Sequence, residues 1–263
     1  MTQLRETTTS FVEDWQRWRE ERWSDVFAPH GIAALADTVW LDRKEQRVDG
    51  VAGTWRADGD TVVGTGLSGS GYTDASGFPV GDTAVLRLGD TVHAGDSLLH
   101  IFVRDGIPAL RRSDPEARQR TLLQSIDAYE PDLAWVMEAQ FTPRAEPLVV
   151  ELFDGYHTLQ QTAGTLEFTL NGQTHHLTAT HGADTLAVVF ADATNGGQTY
   201  RFRFLRIPVP DNTGVTTIDF NRAFLPPCAF SDHYLCPLPS PGNRLAIAVT
   251  AGERMPVRGD DAL

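Results

Sequence analysis

Carboxylate, amide and guanidinium side chains flank a proline-rich segment that runs from residue 219 to residue 245. Asp219 and Asn221 stand at its start, and Asn243 and Arg244 stand at its end. Such groups could take a proton from a substrate, donate a hydrogen bond to a developing oxyanion and orient an anionic group. The alternative is a structural role, because a proline-rich coil leaves backbone carbonyls that polar side chains commonly satisfy.

A second polar group lies upstream, in the sequence ADATNGGQTYRFRFL. A turn after Asp192 would bring its carboxylate close to Tyr200 and Arg203 on a returning strand. Alternation along that strand predicts that Arg203 shares a face with Arg201 and lies opposite Tyr200. The structural alternative for Asp192 is to bind the backbone of its own turn.

The histidines are scattered and match no metal-binding spacing. His175 and His176 are neighbours in a predicted strand, so they face opposite sides and cannot bind one ion together. His30 lies in a Pro-His-Gly corner between a predicted helix and a predicted strand. We predict no metal site and no cofactor, and a metal site assembled from separate strands is the alternative.

Cys228 and Cys236 are the only cysteines, with seven residues between them. A disulfide is geometrically conceivable, but a reducing compartment favours free, buried thiols. Cys228 and His233 could pair as nucleophile and base. No strand-turn-helix nucleophile elbow accompanies them, so thiol catalysis is disfavoured.

An amphipathic helix is predicted from Thr9 to Asp25. Trp15 and Trp18 lie on one face of it, which indicates a surface that packs against the core. Ser10 is the predicted N-cap, with Glu13 as its capping-box partner.

Most of the remaining chain has the alternating pattern of β-strands. Asn171-Gly172 between two alternating runs predicts a type I′ hairpin, because both turn residues need positive φ angles. We predict a fold that is all-β with one N-terminal helix, with mainly antiparallel sheets, sandwich or barrel-like, in two abutting lobes. Beyond the connector, strands are expected at residues 135–141, 148–153, 164–170, 174–180, 185–190, 199–207 and 215–220, with a closing strand at 245–249.

The pattern divides the chain into five parts. They are an N-terminal helix at 1–26, an N-terminal β lobe at 27–112, a helical or irregular connector at 113–133, a C-terminal β lobe with the proline-rich segment at 134–256, and a frayed tail at 257–263.

Composition limits the classes of partner. The 263-residue chain has 41% hydrophobic and 22% charged residues, which is typical of a globular protein. Its formal net charge of -13 repels phosphate backbones and anionic lipids, so nucleic acid and membrane surfaces are not expected partners. The N-terminus lacks a signal-peptide pattern, and no apolar run approaches about 20 residues, so we expect a cytoplasmic protein.

Several short motifs occur in a fixed order near the C-terminus. FADATNGGQTY is followed by DFNRA, PPCAF, CPLP, NRL and AGE, which ends at Glu253. In this order they resemble the bacterial and archaeal family called domain of unknown function 1684. The resemblance extends over roughly residues 11–256 and includes the Pro-His-Gly around His30. It implies a mostly-β fold and supplies no mechanism.

We expect a cytoplasmic small-molecule enzyme, a cofactor-independent hydrolase or isomerase acting on a carbonyl compound, with its pocket between the lobes and beneath the proline-rich segment. Asp219 or Asp192 would be the general base, and Asn221 would donate to the oxyanion. The predicted substrate-binding residues are Arg203, Arg244, Tyr200, Asn243 and His30. The alternatives are a non-catalytic ligand-binding or protein-interaction module and a metal-dependent β-barrel enzyme. A small-molecule ligand is the expected partner, and homo-oligomerisation stays open.

Overall fold

The protein is mostly β, with antiparallel sheets and one long helix at its N-terminus. The computed structural model describes residues 2–259, with side chains from residue 9 onward. The chain forms two compact units. The N-terminal unit contains residues 24–123 and 230–234, and the C-terminal unit contains residues 2–23, 124–229 and 235–259.

The N-terminal unit contains a five-stranded and a three-stranded antiparallel sheet. Its strands are β1 (Leu35–Trp40), β2 (Thr54–Asp58), β3 (Thr61–Thr65), β4 (Thr73–Asp74), β5 (Thr83–Leu86), β6 (Thr91–Ala94), β7 (Ser97–Arg104) and β8 (Ile107–Ser113). The orders are β1-β8-β7-β6-β4 and β2-β3-β5. Trp55 is wholly buried in this core. It lies opposite Gly64, where an added Cβ would stand 2.7 Å from the indole ring, so the glycine makes room for the tryptophan.

The C-terminal unit is built on a seven-stranded antiparallel sheet and a separate strand pair. Its strands are β9 (Leu123–Ala128), β10 (Val136–Pro143), β11 (Pro147–Glu151), β12 (His157–Leu170), β13 (Gln173–His181), β14 (Leu186–Phe190), β15 (Arg203–Ile207), β16 (Val215–Asp219) and β17 (Glu253–Arg258). The sheet order is β15-β14-β13-β12-β10-β16, with β11 on β12, and β9 pairs with β17. Buried apolar side chains, among them Leu166 of β12, Leu177 of β13 and Phe220 just after β16, form the core.

The predicted hairpin is confirmed. Asn171 and Gly172 join β12 to β13 with φ angles of 53° and 75°. The positive φ of Asn171 is in the left-handed region that asparagine tolerates, as a two-residue type I′ turn requires.

The N-terminal helix, α1, is longer than predicted. It runs from Thr2 to Phe27, so Ser10 lies inside the helix and the predicted N-cap is wrong. Residues 2–9 contain no proline or glycine, and nothing in them stops the helix. Trp15 and Trp18 are half-buried, which confirms the packed face. No helix in the part of the chain that the structure describes is long and apolar enough to cross a bilayer.

Three predictions about residues 113–263 need correction. The connector at 113–133 contains a short helix, α2 (Arg118–Thr121), as expected, but it also contains β9. The closing strand is β17, so the tail is ordered to Arg258, and residues 260–263 lie outside the described residues. Residues 245–249 form no strand. Two main-chain bonds hold them, from Leu245 N to Ala191 O and from Ala193 N to Ile247 O, and no ladder continues from these.

His100 of β7 is expected to make stability depend on pH. It lies opposite Arg111 of β8 in the sheet. Burial is the larger cause and the positive charge of Arg111 the smaller one, and together they lower the pKa of His100 from 6.5 to about 4. The neutral ring is therefore favoured in the folded state, and stability is lost as pH falls from about 6.5 to about 4, by at most about 3 kcal/mol.

Urea unfolding across this pH range checks the expectation. His100→Gln should remove most of the slope, whereas His176→Gln, at an exposed position in β13, should leave it unchanged. Equal slopes in the two variants would show that His100 is not the titrating group.

Candidate functional site

Asp192 and Arg203 form a fully buried ion pair. Arg203 Nη2 donates to Asp192 Oδ2 at 2.7 Å, and both side chains are 0% exposed. The loop from Phe190, the last residue of β14, to Arg203, the first residue of β15, carries the carboxylate back to the guanidinium. The predicted proximity of these residues is correct.

The guanidinium of Arg203 is otherwise directed at backbone. It donates to the carbonyl oxygens of Val249 (2.9 Å), Glu253 (3.3 Å) and Ala251. Its Nε has no hydrogen-bond partner among the described residues. Arg203 therefore fixes the chain between residues 249 and 253, and its bonded N–H groups do not point at a ligand site.

The carboxylate of Asp192 is equally occupied. Its Oδ1 accepts from the backbone N–H and hydroxyl of Thr194 (2.8 and 2.6 Å) and from Val249 N (3.2 Å). The alternative interpretation, that Asp192 binds the backbone of its own turn, is confirmed. A general base needs a lone pair that a substrate can reach, so the catalytic role of Asp192 stays a prediction without support from this geometry.

Tyr200 does not lie on β15. The strand that we expected from Thr199 begins only at Arg203, because Tyr200 still belongs to the turn. The N–H of Tyr200 donates to Arg254 O (2.8 Å), and its hydroxyl donates to Cys228 O (3.1 Å). Arg201 is exposed whereas Arg203 is buried, so the predicted shared arginine face is wrong. Burial, and then the Cys228 thiol, raise the pKa of Tyr200.

Asp219 and Asn221 also bind each other and the backbone. Asn221 is 0% exposed; its Oδ1 accepts from Asp132 N and its Nδ2 donates to Asp132 O, both at 2.9 Å. Asp219 Oδ1 accepts from Asn221 N (3.0 Å) and Nδ2 (2.8 Å), and Asp219 Oδ2 lies 3.3 Å from Arg222 Nε. These bonds close the end of β16 onto the chain before β10. The roles of general base and oxyanion donor stay predictions.

Asn243 fills a gap in the main sheet. Its Oδ1 accepts from Thr178 N (2.7 Å), and its Nδ2 donates to Thr178 O and Val189 O (both 2.9 Å). The β13–β14 ladder covers only the Thr180 and His181 end of β13, so the amide replaces main-chain bonds that the diverging strands do not make.

Arg244 and His30 lie apart from these groups. The Arg244 side chain is exposed. His30 belongs to the N-terminal unit, where its Nε2 is 2.7 Å from Asp96 O and its ring is 6.1 Å from that of His93. The structure therefore brings Asp192 to Arg203 and Asp219 to Asn221, but does not gather the eight candidates into one site.

Sequence reasoning missed one fully buried charge in the C-terminal unit. Glu253 is 0% exposed; its Oε1 is 3.3 Å from both Arg19 Nη1 and Arg22 Nε of α1, and its Oε2 accepts from Leu225 N at 2.7 Å. Burial raises the pKa of Glu253, and Arg22, the Leu225 amide and Arg19 oppose that rise. One signal in the sequence could have indicated a buried partner: Arg22 lies four residues after Trp18, so it places a charge on the packed face of the helix.

A small pocket does lie beneath the proline-rich segment. It has a volume of about 30 Å³, enough for about one water molecule, and lies between Pro237–Asn243 and strands β11 to β14. Of the eight predicted site residues it is lined only by Asn243, whose amide is already bonded to backbone. This pocket is too small for a carbonyl substrate in the form that the structure describes.

The scattered histidines and the thiols show no metal-binding arrangement. Among the described residues, no three His, Cys, Asp or Glu side chains converge as ligands. His175 stacks on Phe168 with 5.5 Å between ring centroids, while His176 Nε2 is 3.0 Å from Glu167 Oε2, in agreement with opposite faces. Both cysteines are free and buried, as predicted.

Residues 122–254 match the model of a family described as "Protein of unknown function (DUF1684)". This is half of the chain. The chain belongs to the DUF1684 family. The DUF1684 region contains most of the β-strands of the C-terminal unit.

Several solved structures match the chain. One of them is the solution NMR structure of the uncharacterized protein from gene locus rrnAC0354 of Haloarcula marismortui, which is 34% identical over 53% of this chain and 80% of that chain, with a TM-score of 0.43. No curated protein matches the chain.

Proposed function

We propose that the protein is a non-catalytic binding module for a small organic cation, and that the ligand lies in a groove of the N-terminal unit. The single observation that carries the proposal is an apolar groove with two carboxylates at its rim. It has a volume of about 340 Å³, within the range of small-molecule sites.

The floor of the groove is apolar. Ala84, Leu86 and Val92 are buried beneath it, and Val80 and Val85 form its walls. Val85, on the edge strand β5 of the three-stranded sheet, is 46% exposed. Burying these side chains against a hydrocarbon or ring would contribute roughly 25 cal/mol per Å² of apolar surface.

Two carboxylates give the groove its selectivity. Asp74 Oδ1 accepts from Ser76 N (2.9 Å) and Phe78 N (3.0 Å), and Asp90 Oδ2 accepts from Arg87 N (2.8 Å). These bonds fix each carboxylate by one oxygen. Within residues 9–259 the other oxygen of each, Asp74 Oδ2 and Asp90 Oδ1, makes no hydrogen bond, so both can accept from an ammonium group.

The net charge of the protein acts in the same direction. A formal charge of -13 attracts cations over long range and disfavours anionic ligands. An ammonium group attached to a small apolar body therefore fits both the rim and the floor.

Three probes with the same ring test the proposal: benzylammonium, benzyl alcohol and benzoate, titrated by NMR or calorimetry at low salt. We expect benzylammonium to bind most tightly, with shifts centred on residues 74–92. Asp74→Asn and Asp90→Asn should each weaken it by about five-fold, because an exposed ion pair contributes about 1 kcal/mol.

Asp60→Asn is the matched control, since Asp60 is an exposed carboxylate in the turn between β2 and β3. If benzoate or benzyl alcohol binds as well as benzylammonium, or if both groove variants bind it like the control, the proposal is wrong.

A further inference from the structure

The C-terminal unit holds its two cysteines as neighbouring thiols. Cys228 and Cys236 are 3% and 5% exposed, and neither is in a disulfide. The backbone N–H of Cys228 donates to Cys236 Sγ at 3.3 Å. The Cys236 sulfur is therefore next to the backbone of Cys228 before any reaction occurs.

The surroundings favour a thiolate at Cys228. The hydrogen bond from Cys236 lowers the pKa of the Cys228 thiol, burial opposes this, and Tyr200 and Arg201 act with Cys236. The hydroxyl of Tyr200 lies 3.9 Å from Cys228 Sγ. Because the thiolate is the nucleophilic form of cysteine, these contacts mark Cys228 as the first thiol to react.

The chain between the cysteines is held in place. Ser231 Oγ donates to Leu35 O at 2.6 Å, and Thr38 Oγ1 donates to His233 O at 2.9 Å. Both bonds lie within the N-terminal unit, and they order residues 231–233 of the segment between the cysteines.

We propose that Cys228 and Cys236 are a redox modification site, at which a hydroperoxide converts the two thiols into a reversible intramolecular disulfide. The Cys228 thiolate attacks one peroxide oxygen, the O–O bond breaks, and the departing alkoxide or hydroxide takes a proton, which leaves a sulfenic acid on Cys228. Cys236 sulfur then attacks Cys228 sulfur. The S–OH bond breaks, and hydroxide leaves as water with the proton of the Cys236 thiol.

In this balance two thiols and one hydroperoxide give one disulfide, one alcohol or water, and one further water. The peroxide is reduced and the thiols are oxidised. In a reducing compartment small thiols return the pair to its reduced form, so the disulfide is a transient state.

The chain offers a direct test with hydrogen peroxide as the probe. Residues 223–244 form one tryptic peptide that contains both cysteines, because no Lys or Arg lies between Arg222 and Arg244. After peroxide treatment of the folded protein, we expect this peptide to lose the mass of two hydrogen atoms and both alkylatable thiols. Dithiothreitol should restore both.

Two variants test the order in which the two thiols react. Cys236→Ser should stop at the sulfenic acid of Cys228, which a 1,3-dicarbonyl reagent labels, whereas Cys228→Ser should remain unlabelled at the same peroxide concentration. The test on the wild-type protein does not depend on whether either variant folds. Intact thiols in the folded protein under peroxide that oxidises the urea-unfolded chain would overturn the proposal, as would disulfides formed only between molecules.

Discussion

Replacing Arg203 with methionine is expected to lower the free energy of unfolding by about 3–5 kcal/mol, because it leaves the buried carboxylate of Asp192 without its counter-ion. The substitution also removes the donors to the carbonyls of Val249, Ala251 and Glu253. A carbonyl that remains buried and unsatisfied costs further stability. Urea unfolding followed by tryptophan fluorescence measures the loss.

Arg206→Met is the matched control, since Arg206 lies on the same strand and is exposed. We expect it to change stability by less than about 1 kcal/mol. Replacing Asp192 together with Arg203 should recover part of the loss, because the unpaired charge is gone, but not the bonds to Thr194 and Val249. Equal effects of Arg203→Met and Arg206→Met would refute the structural role of the ion pair.

Replacing Glu253 with alanine is expected to release α1 from the C-terminal unit. Arg22 is only 9% exposed and would lose its carboxylate partner, and the N–H of Leu225 would lose its acceptor. Removing one member of such a buried network costs about 3–5 kcal/mol. Because Arg19 and Arg22 both lie on the helix, the loss should appear first as faster amide hydrogen exchange in residues 9–23.

Glu138→Ala provides the comparison, because Glu138 is an exposed carboxylate in β10. It should leave both the exchange pattern and the stability near those of the wild type. If exchange in residues 9–23 is equally slow in the two variants, Glu253 does not anchor the helix.

Local signals account for what could be predicted of the fold. The turn at Asn171-Gly172 and the period of two in β7 and β12 act over a few residues, so the sequence reveals them directly. The pair of β9 and β17 joins segments more than a hundred residues apart, and neither segment signals its partner. For the same reason, the local pattern of residues 245–249 predicts a strand, although the structure pairs this segment through two main-chain bonds only.

The candidate residues show a different limit. The sequence singled out Asp192, Arg203, Asn221 and Asn243 as candidate site residues, and all four are buried. It could not identify their partners, because most of these are main-chain groups, which every residue possesses. Asn243, for example, binds the backbone of Thr178 and Val189, and the side chains at those two positions do not indicate this contact. The hydrogen bonds of these side chains fit the structural alternative, and the catalytic roles stay predictions.

The anchoring of α1 by Glu253 has a consequence for biosynthesis. Arg22 and Glu253 are separated by 231 positions, so the helix leaves the ribosome long before its partner exists. At about 5–20 residues per second, its tryptophan-bearing face waits on the order of ten seconds or more in the cell before it can dock. Translation speed and chaperones that shield aromatic surface should therefore influence the yield of this protein more than that of a chain whose first helix packs against its nearest neighbours.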